Sequence, residues 1–158
     1  MIRSFIGLAA MVAMVGCAHT SASTIPGTKV EDTESNREIV RTVERYRLAV
    51  ERKDVGALVA MASRNYWEDS GTPSGADDYG YDRLREVLLG QFQRADSIRY
   101  SMKYMGISHD HGRAKVDVLI DASYSVQTAR GLERFDMRDQ NQLVLENDGQ
   151  RWLFVSGM

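Results

Sequence analysis

The sequence predicts one α+β domain in which three N-terminal helices pack on one face of an antiparallel sheet. Apolar residues recur at helical spacing as far as Phe92, and from Ile98 onwards they alternate with polar residues. Helices followed by strands, without interleaving, are typical of the α+β class. The predicted domain covers residues 34–158, a usual length for a single hydrophobic core.

The first 16 residues have the pattern of a bacterial signal peptide. Arg3 precedes an apolar run, residues 5–16, that leads directly to Cys17, the one cysteine of the chain. Residues 14–17, Met-Val-Gly-Cys, resemble the lipobox, in which the cysteine becomes the lipidated first residue of the mature protein. The resemblance implies a lipid anchor on Cys17. Because Ala18 follows, it also implies the periplasmic face of the outer membrane.

Two alternatives to lipidation remain open for this segment. One is a cleaved signal peptide followed by an incidental cysteine. The other is a membrane-spanning helix, which needs roughly 20 apolar residues, more than the run contains.

Residues 17–33 are predicted to be the lipidated cysteine and a flexible tether. This segment is rich in Ser and Thr, contains Pro26-Gly27 and has no apolar period. We therefore expect a chain that begins near Asp32 to keep all of its core contacts. The formal net charge of −2, without a basic face, argues against nucleic acid as a partner.

Capping signals predict where the three helices begin. A capping box at residues 35–38 starts the first helix, Asp54 caps a shorter second helix, and Asp82 caps a third. The core-facing positions of the first helix are Ile39, Val43, Tyr46 and Val50. Between the second and third helices, a short extended stretch at residues 65–68 leads into an irregular loop at residues 70–80.

Period-2 alternation predicts four strands after the helices. Residues 98–104 and 114–124 form the first two, and residues 135–145 form the third. Trp152 and Phe154 mark a fourth strand after a turn at residues 147–149. His109 and His111 lie where the first two strands need a turn, so a solvated hairpin is favoured over a metal site.

The third strand carries the clearest sequence signal for a pocket. If Phe135 and Leu143 point inward, Asp139 and Asn141 share their face. Two polar side chains on an apolar face need a polar partner, water or a ligand. Alternatively, a β-bulge within residues 138–142 reverses the register and leaves both side chains exposed.

The order of the elements resembles the nuclear transport factor 2-like superfamily, which includes ketosteroid isomerases and SnoaL-like cyclases. The segments that carry the resemblance are the helix pair around Lys53-Asp54, residues 66–69, the third helix and residues 148–152. It implies a cone whose helices close over a curved sheet and leave a pocket at the wide end. The expected pocket residues are Tyr46, Tyr66, Asp69, Asp139 and Asn141.

Ketosteroid isomerases combine a carboxylate base with a tyrosine and a protonated carboxylic acid that bind the oxyanion. Tyr46 matches the tyrosine. The base position falls on Ser70, one residue after Asp69, and the acid position falls on Asn141, two residues after Asp139. The chain departs from the isomerase pattern at both carboxylates.

Three classes of function are compatible with these observations, because the superfamily contains enzymes, binding modules and structural domains. The sequence favours a lipid-anchored, non-catalytic module that binds an apolar small molecule or a protein. The enzyme alternative is an isomerase, cyclase or dehydratase that uses Asp69 or Asp139 as base and Tyr46 as oxyanion donor, without a cofactor. The third class is a structural partner in an envelope assembly, and a homodimer through the open face of the sheet is also expected.

Overall fold

Three helices cover one face of a four-stranded antiparallel sheet in the computed structural model, which describes residues 23–69 and 71–158. The helices are α1 (Glu34–Glu51), α2 (Val55–Met61) and α3 (Tyr81–Arg94). A two-stranded sheet pairs β1 (Trp67–Glu68) with β2 (Tyr79–Gly80). The large sheet has the order β3 (Ser97–Asp110), β4 (Arg113–Thr128), β5 (Gly131–Asn147) and β6 (Trp152–Ser156).

The α+β prediction is confirmed. The predicted signal peptide, Cys17 and Ser70 lie outside the described residues.

The helices begin at slightly different residues from those predicted. Thr33 is the N-cap of α1, and its side-chain oxygen accepts a hydrogen bond from the Asn36 amide at 3.2 Å. The predicted capping box at residues 35–38 is therefore wrong by two residues. Asp54 caps α2 as predicted, because its Oδ1 accepts from the Ala57 amide at 2.9 Å.

The start of α3 corrects a second capping prediction. Gly80 is the N-cap, and Asp82 lies within the first turn without a capping hydrogen bond. The Tyr81 amide instead donates to the Tyr66 carbonyl at 3.1 Å, so the pairing of β1 with β2 positions this end of the helix.

The core lies between the helices and the inner face of the sheet. Its fully buried members include Ile39, Val43, Leu58, Leu84, Val116, Leu143, Leu145 and Phe154. They come from the three helices and from strands β4, β5 and β6, so both layers contribute to one continuous core.

Residues 23–33, which we call the N-terminal strap, pack on the domain instead of forming the predicted flexible tether. Thr24 and Glu31 form an antiparallel bridge, and Val30 is buried in the core at 1% exposure. The Lys29 amide donates to the Tyr104 carbonyl of β3 at 3.2 Å. A chain that begins near Asp32 therefore loses a core side chain.

The register between β4 and β5 is continuous, which excludes the bulge alternative. Asp139 pairs with Ile120 and Asn141 pairs with Val118, so both side chains lie on the inner face of the sheet. The helices leave the far end of this hairpin uncovered. Phe135 and Met137, on the same face, are therefore 42% and 45% exposed.

The outer face of the sheet is exposed and mainly polar. The exposed side chains on this face include Arg99, Ser101, Lys103, Asp121, Arg134, Asp136 and Arg138. A homodimer through this face stays a prediction. Within the described part of the chain, no helix has the length and apolar character needed to span a membrane.

Candidate functional site

A cavity of about 260 Å³ lies between the inner face of the sheet, the second half of α1 and α3. Its apolar lining includes Val50, Leu88, Phe92, Ile120, Met137 and Met158. Its polar lining consists of Tyr46, Gln91, Tyr100, Asp139 and Asn141. The arrangement is an apolar pocket with a few polar groups, which is typical of small-molecule sites.

Two tyrosines supply hydroxyl groups to this cavity. The rings of Tyr46 and Tyr100 meet edge to face, with centroids 6.2 Å apart. Burial, reinforced by the neighbouring Tyr100 hydroxyl, raises the pKa of Tyr46 well above its usual value. Burial also raises the pKa of Tyr100. Both side chains are therefore neutral at pH 7. Their hydroxyls hydrogen-bond to each other, so the pair keeps one hydroxyl proton to donate to a ligand and can also accept a hydrogen bond.

Asp139 and Asn141 occupy different depths of the cavity. Asp139 is exposed at the rim, and its Oδ1 accepts from the Gln140 amide at 2.8 Å. Asn141 is half-buried, and its Nδ2 donates to the Gly157 carbonyl at 3.0 Å. The predicted inward parity is found for both residues, but the Asp139 carboxylate is accessible to water because no helix covers it.

Glu68 fixes the chain behind the cavity. Its Oε2 accepts hydrogen bonds from the Tyr66 hydroxyl at 2.6 Å and from the Gly157 amide at 2.8 Å. Burial and the hydrogen bond to Glu68 raise the pKa of Tyr66. The Glu68 charge also contributes, after burial and Tyr100, to the raised pKa of Tyr46. The carboxylate is thus within electrostatic range of the cavity, although it is not part of the lining.

The structure brings together some of the predicted pocket residues and separates others. Tyr46, Asp139 and Asn141 line the cavity, whereas Tyr66 and Asp69 do not. Tyr66 lies next to the lining, because its hydroxyl accepts from the Met158 amide at 3.3 Å. Asp69 is exposed, and its Oδ1 accepts from the Gly71 amide at 2.8 Å in a local turn.

The residues expected from the sequence do not include three polar side chains at or near the site, Gln91, Tyr100 and Glu68. Tyr100 has the inward parity of its strand, and this signal was available in the alternation of residues 98–104. Glu68 had no such signal, because its orientation depends on the two-residue pairing of β1 with β2.

His111 lies in the hairpin turn between β3 and β4, as predicted, whereas His109 lies near the end of β3. His111 and Gly112 have positive φ values of 46° and 79°, and they connect β3 to β4. His109 Nε2 lies 2.7 Å from Asn36 Oδ1, in a structural contact with α1. Across residues 23–69 and 71–158, no group of three or more His, Cys, Asp or Glu side chains has the arrangement of a metal site.

No protein-family model and no curated protein matches the sequence. Solved structures do match its fold. A protein of Streptomyces avermitilis, provisionally described as a dehydratase of the nuclear transport factor 2-like family, superposes with a TM-score of 0.65 at 11% identity, over 77% of this chain and 92% of that one. The chain has the nuclear transport factor 2-like fold.

Two further proteins with this fold superpose to a similar degree. A protein of Novosphingobium aromaticivorans, provisionally described as a scytalone dehydratase, gives a TM-score of 0.67 at 16% identity, over 78% of this chain and 80% of that one. A ketosteroid isomerase-like protein of Erwinia carotovora gives a TM-score of 0.63 at 18% identity, over 80% of this chain and 95% of that one. At these identities the likeness establishes the nuclear transport factor 2-like fold, and function has to be argued from the site.

Proposed function

We propose that the domain binds a compact, mainly apolar molecule with one hydroxyl or carbonyl group, and that it does so without catalysis. The observation that supports this proposal is the pair of neutral hydroxyls, Tyr46 and Tyr100, in an otherwise largely apolar cavity. The volume of about 260 Å³ lies just below the usual range for ligand pockets, roughly 300–1,000 Å³. A molecule of one or two fused rings suits this size.

The position of the carboxylates favours binding over catalysis. Asp139 is the one carboxylate among the described lining residues, and it lies exposed at the rim. Glu68 is engaged by Tyr66 and Gly157 outside the lining. An isomerase of the ketosteroid type needs both a base and a second acid at the ligand. Among the residues that the structure describes, a second carboxylate does not line the cavity.

A fluorescence titration with 2-naphthol tests the binding proposal, with naphthalene as the probe that lacks a hydroxyl. We expect Tyr46→Phe and Tyr100→Phe each to weaken 2-naphthol binding about fivefold, because each removes a hydrogen-bonding group. Naphthalene affinity should stay the same in both variants. Tyr124→Phe is the matched control. Tyr124 lies on the inner face of the sheet, as Tyr100 does, but outside the cavity lining.

Two results would contradict the binding proposal. One is the absence of saturable binding for both probes. The other is a wild-type affinity for 2-naphthol in both tyrosine variants, since the hydroxyl pair would then play no part.

The enzyme alternative is supported by one observation: Tyr46, Tyr100 and Asp139 line the same cavity. In this alternative Asp139 removes a proton next to a carbonyl group, and Tyr46 stabilises the resulting oxyanion. Exchange of the α-protons of 2-tetralone into deuterated water, followed by NMR, measures this step directly. Asp139→Asn should slow the exchange by about a hundredfold or more if Asp139 is the base. Exchange at the rate of buffer alone would exclude this chemistry for the probe.

We also propose that the protein is lipid-anchored in the bacterial envelope through Cys17, on the periplasmic side of the outer membrane. The support is the pattern of residues 14–17 and the preceding apolar run. Cys17→Ser should move the protein from the membrane fraction to the soluble fraction, because the acyl chains supply the membrane affinity. Ser21→Ala is the control. Recovery of the Cys17 variant in membranes at the wild-type level would contradict the anchor.

A further inference from the structure

A second depression, of about 670 Å³, lies between α1 and the turn that connects β5 to β6. It shares no lining residue with the cavity beside Tyr46. Helix α1 contributes Arg41 and Arg45 from successive turns, and the other wall contains Arg151 and Trp152. We call this depression the arginine groove.

Trp152 has the one buried side-chain donor that lacks a hydrogen-bond partner among the described residues. The residue is 7% exposed, and its ring packs against His109 with centroids 6.1 Å apart. Its Nε1 has no acceptor. Buried donors are nearly always paired, because an unpaired one loses its hydrogen bond to water without replacement. Trp152 lines the groove, but its Nε1 has almost no accessible surface, so an acceptor bound in the groove would supply the missing bond after a small shift of the indole ring.

The three guanidinium groups of the groove are only weakly neutralised. Arg41 lies 3.8 Å from a carboxylate oxygen of Glu34, and Arg151 lies 3.9 Å from one of Asp148. Arg45 forms no ion pair within the described part of the chain. It donates instead to the Thr42 hydroxyl at 3.0 Å.

The two acidic side chains that line the groove do not form an ion pair with Arg45. Glu44 lines the groove, but its two oxygens accept from Arg47 at 2.8 Å and from the Tyr104 hydroxyl at 2.7 Å. Glu38 is the second acidic residue of the lining. Arg45 is therefore the guanidinium of the groove that has no ion pair among the described residues, and Glu44, one of the two lining carboxylates, already has strong partners.

We propose that the arginine groove binds an organic oxyanion, a molecule with a carboxylate or phosphate group. Two oxygens of such a group match the paired donors of a guanidinium. The anionic group is held by Arg41, Arg45 and Arg151, one oxygen satisfies Trp152 Nε1, and the organic part packs against the Val40 side chain and the indole. This site is separate from the cavity and does not depend on what the cavity binds.

NMR of the full chain tests this proposal, because the protein has two tryptophans and hence two indole N–H signals. Phenyl phosphate and benzoate are the two anionic probes, and benzyl alcohol is the neutral one. We expect an anion to shift the Trp152 indole signal. The Trp67 signal should not move, because Trp67 is 55% exposed and lies outside the groove. A response to one anion or to both tells which oxyanion the groove prefers.

Variants of the groove separate this site from general anion binding. Arg45→Gln should lower the affinity for the anion about tenfold, because it removes a charged donor. Arg83→Gln, an exposed arginine of α3 outside the groove, should have no effect. Trp152→Phe removes the unpaired N–H and should also weaken binding when measured by calorimetry. Higher salt should weaken binding to the wild-type groove.

The proposal is overturned if neither anion shifts the Trp152 signal, or if benzyl alcohol shifts it equally. Wild-type affinity in Arg45→Gln also overturns it. Thermal unfolding verifies that each variant is folded. If Trp152→Phe does not fold, Arg45→Gln still decides the matter, because Arg45 is exposed.

Discussion

Gly157 determines how the chain passes behind the cavity after β6. Its φ of 86° lies in the region that favours glycine. A Cβ atom at this position would lie 2.5 Å from the Gln142 carbonyl oxygen, closer than atoms can approach. Glycine therefore allows the contacts of residues 157–158 with Glu68, Tyr66 and Asn141.

Gly157→Ala should lower the free energy of unfolding by about 3 kcal/mol, because it combines positive-φ strain with a backbone clash. Gly149→Ala is the matched control, since Gly149 has a φ of 93° but nothing within 4 Å of an added Cβ. The control should lose only about 1 kcal/mol. Chemical denaturation measures both values. Equal losses would mean that the contact with Gln142 is relieved without cost.

At the residue scale, the sequence predicted which face of the sheet a side chain lies on better than it predicted how deeply that side chain is buried. The period-2 pattern of β5 predicted Asp139 and Asn141 on the inner face, and the continuous pairing with β4 confirms this orientation. The pattern could not show that Asp139 is exposed, because this depends on where the helices end above the sheet. Asp69 was expected in the pocket because it lies one residue before the base position of ketosteroid isomerases. Its carboxylate instead accepts a hydrogen bond in a local turn with Gly71 and lies outside the cavity lining.

At the scale of elements, the N-terminal strap shows how a short segment becomes part of the core. Its hairpin closes through the bridge between Thr24 and Glu31 and through the Asp32 amide, which donates to the Ser23 carbonyl at 2.7 Å. This geometry turns Val30 into the core. Asn36 then joins the strap to α1, because its Nδ2 donates to the Glu31 carbonyl at 2.9 Å.

Val30→Ala should lower the free energy of unfolding by about 2 kcal/mol, because it removes two buried methyl groups and leaves a small cavity. Lys29→Ala is the control: the Lys29 side chain is exposed and only its backbone contacts β3. Thermal or chemical unfolding monitored by circular dichroism measures both. If Val30→Ala lowers the free energy of unfolding no more than Lys29→Ala does, the burial of the strap's valine contributes nothing to stability.

Periodicity explains which elements were predictable. The helices and long strands have many apolar residues at a fixed spacing, so they were found. The strap buries one valine in a polar segment, which gives no period to detect. The start of α1 was misplaced because Thr33 and Ser35 are both good capping residues, and only the path of the strap selects Thr33.

For the whole molecule, the sequence was sufficient to predict the fold, because helices and strands are segregated and each has a clear apolar face. The site was only partly predictable. Tyr46 was expected from the resemblance to ketosteroid isomerases and Asn141 from the alternation along its strand, whereas Glu68 and the Met158 contact depend on segments distant in sequence. The arginine groove likewise joins α1 to the β5–β6 turn, which no local pattern connects.

Five tyrosines have raised pKa values in the folded protein, with burial as the largest cause in each case. They are Tyr46, Tyr66, Tyr79, Tyr100 and Tyr104. They occur in α1, at or beside β1 and β2, and in β3, so they extend through much of the molecule. The folded state therefore holds these protons more tightly than the unfolded state does.

The protein should keep the tyrosine-dependent part of its stability below about pH 10, where unfolded tyrosines begin to ionise. That stability should fall as the pH rises further, because only the unfolded chain gains charge readily. Tyrosinate absorbance and circular dichroism, followed together in an alkaline titration, measure this coupling. We expect the buried tyrosines to ionise in the same step in which the structure is lost. Complete ionisation of the tyrosines while the circular dichroism spectrum stays intact would contradict the raised pKa values of the buried tyrosines.

β3 is an edge of the four-stranded sheet, and uncovered edge strands can pair with other molecules and start aggregation. The N-terminal strap covers part of this edge, because the Lys29 amide occupies the Tyr104 carbonyl. Immediately beyond that point, an irregularity between Tyr104 and Gly106 interrupts the regular pairing of β3. Together the two features deprive an incoming strand of a continuous row of hydrogen-bonding groups. Residues that add one valine to the core thus also protect the protein against intermolecular β-sheet growth.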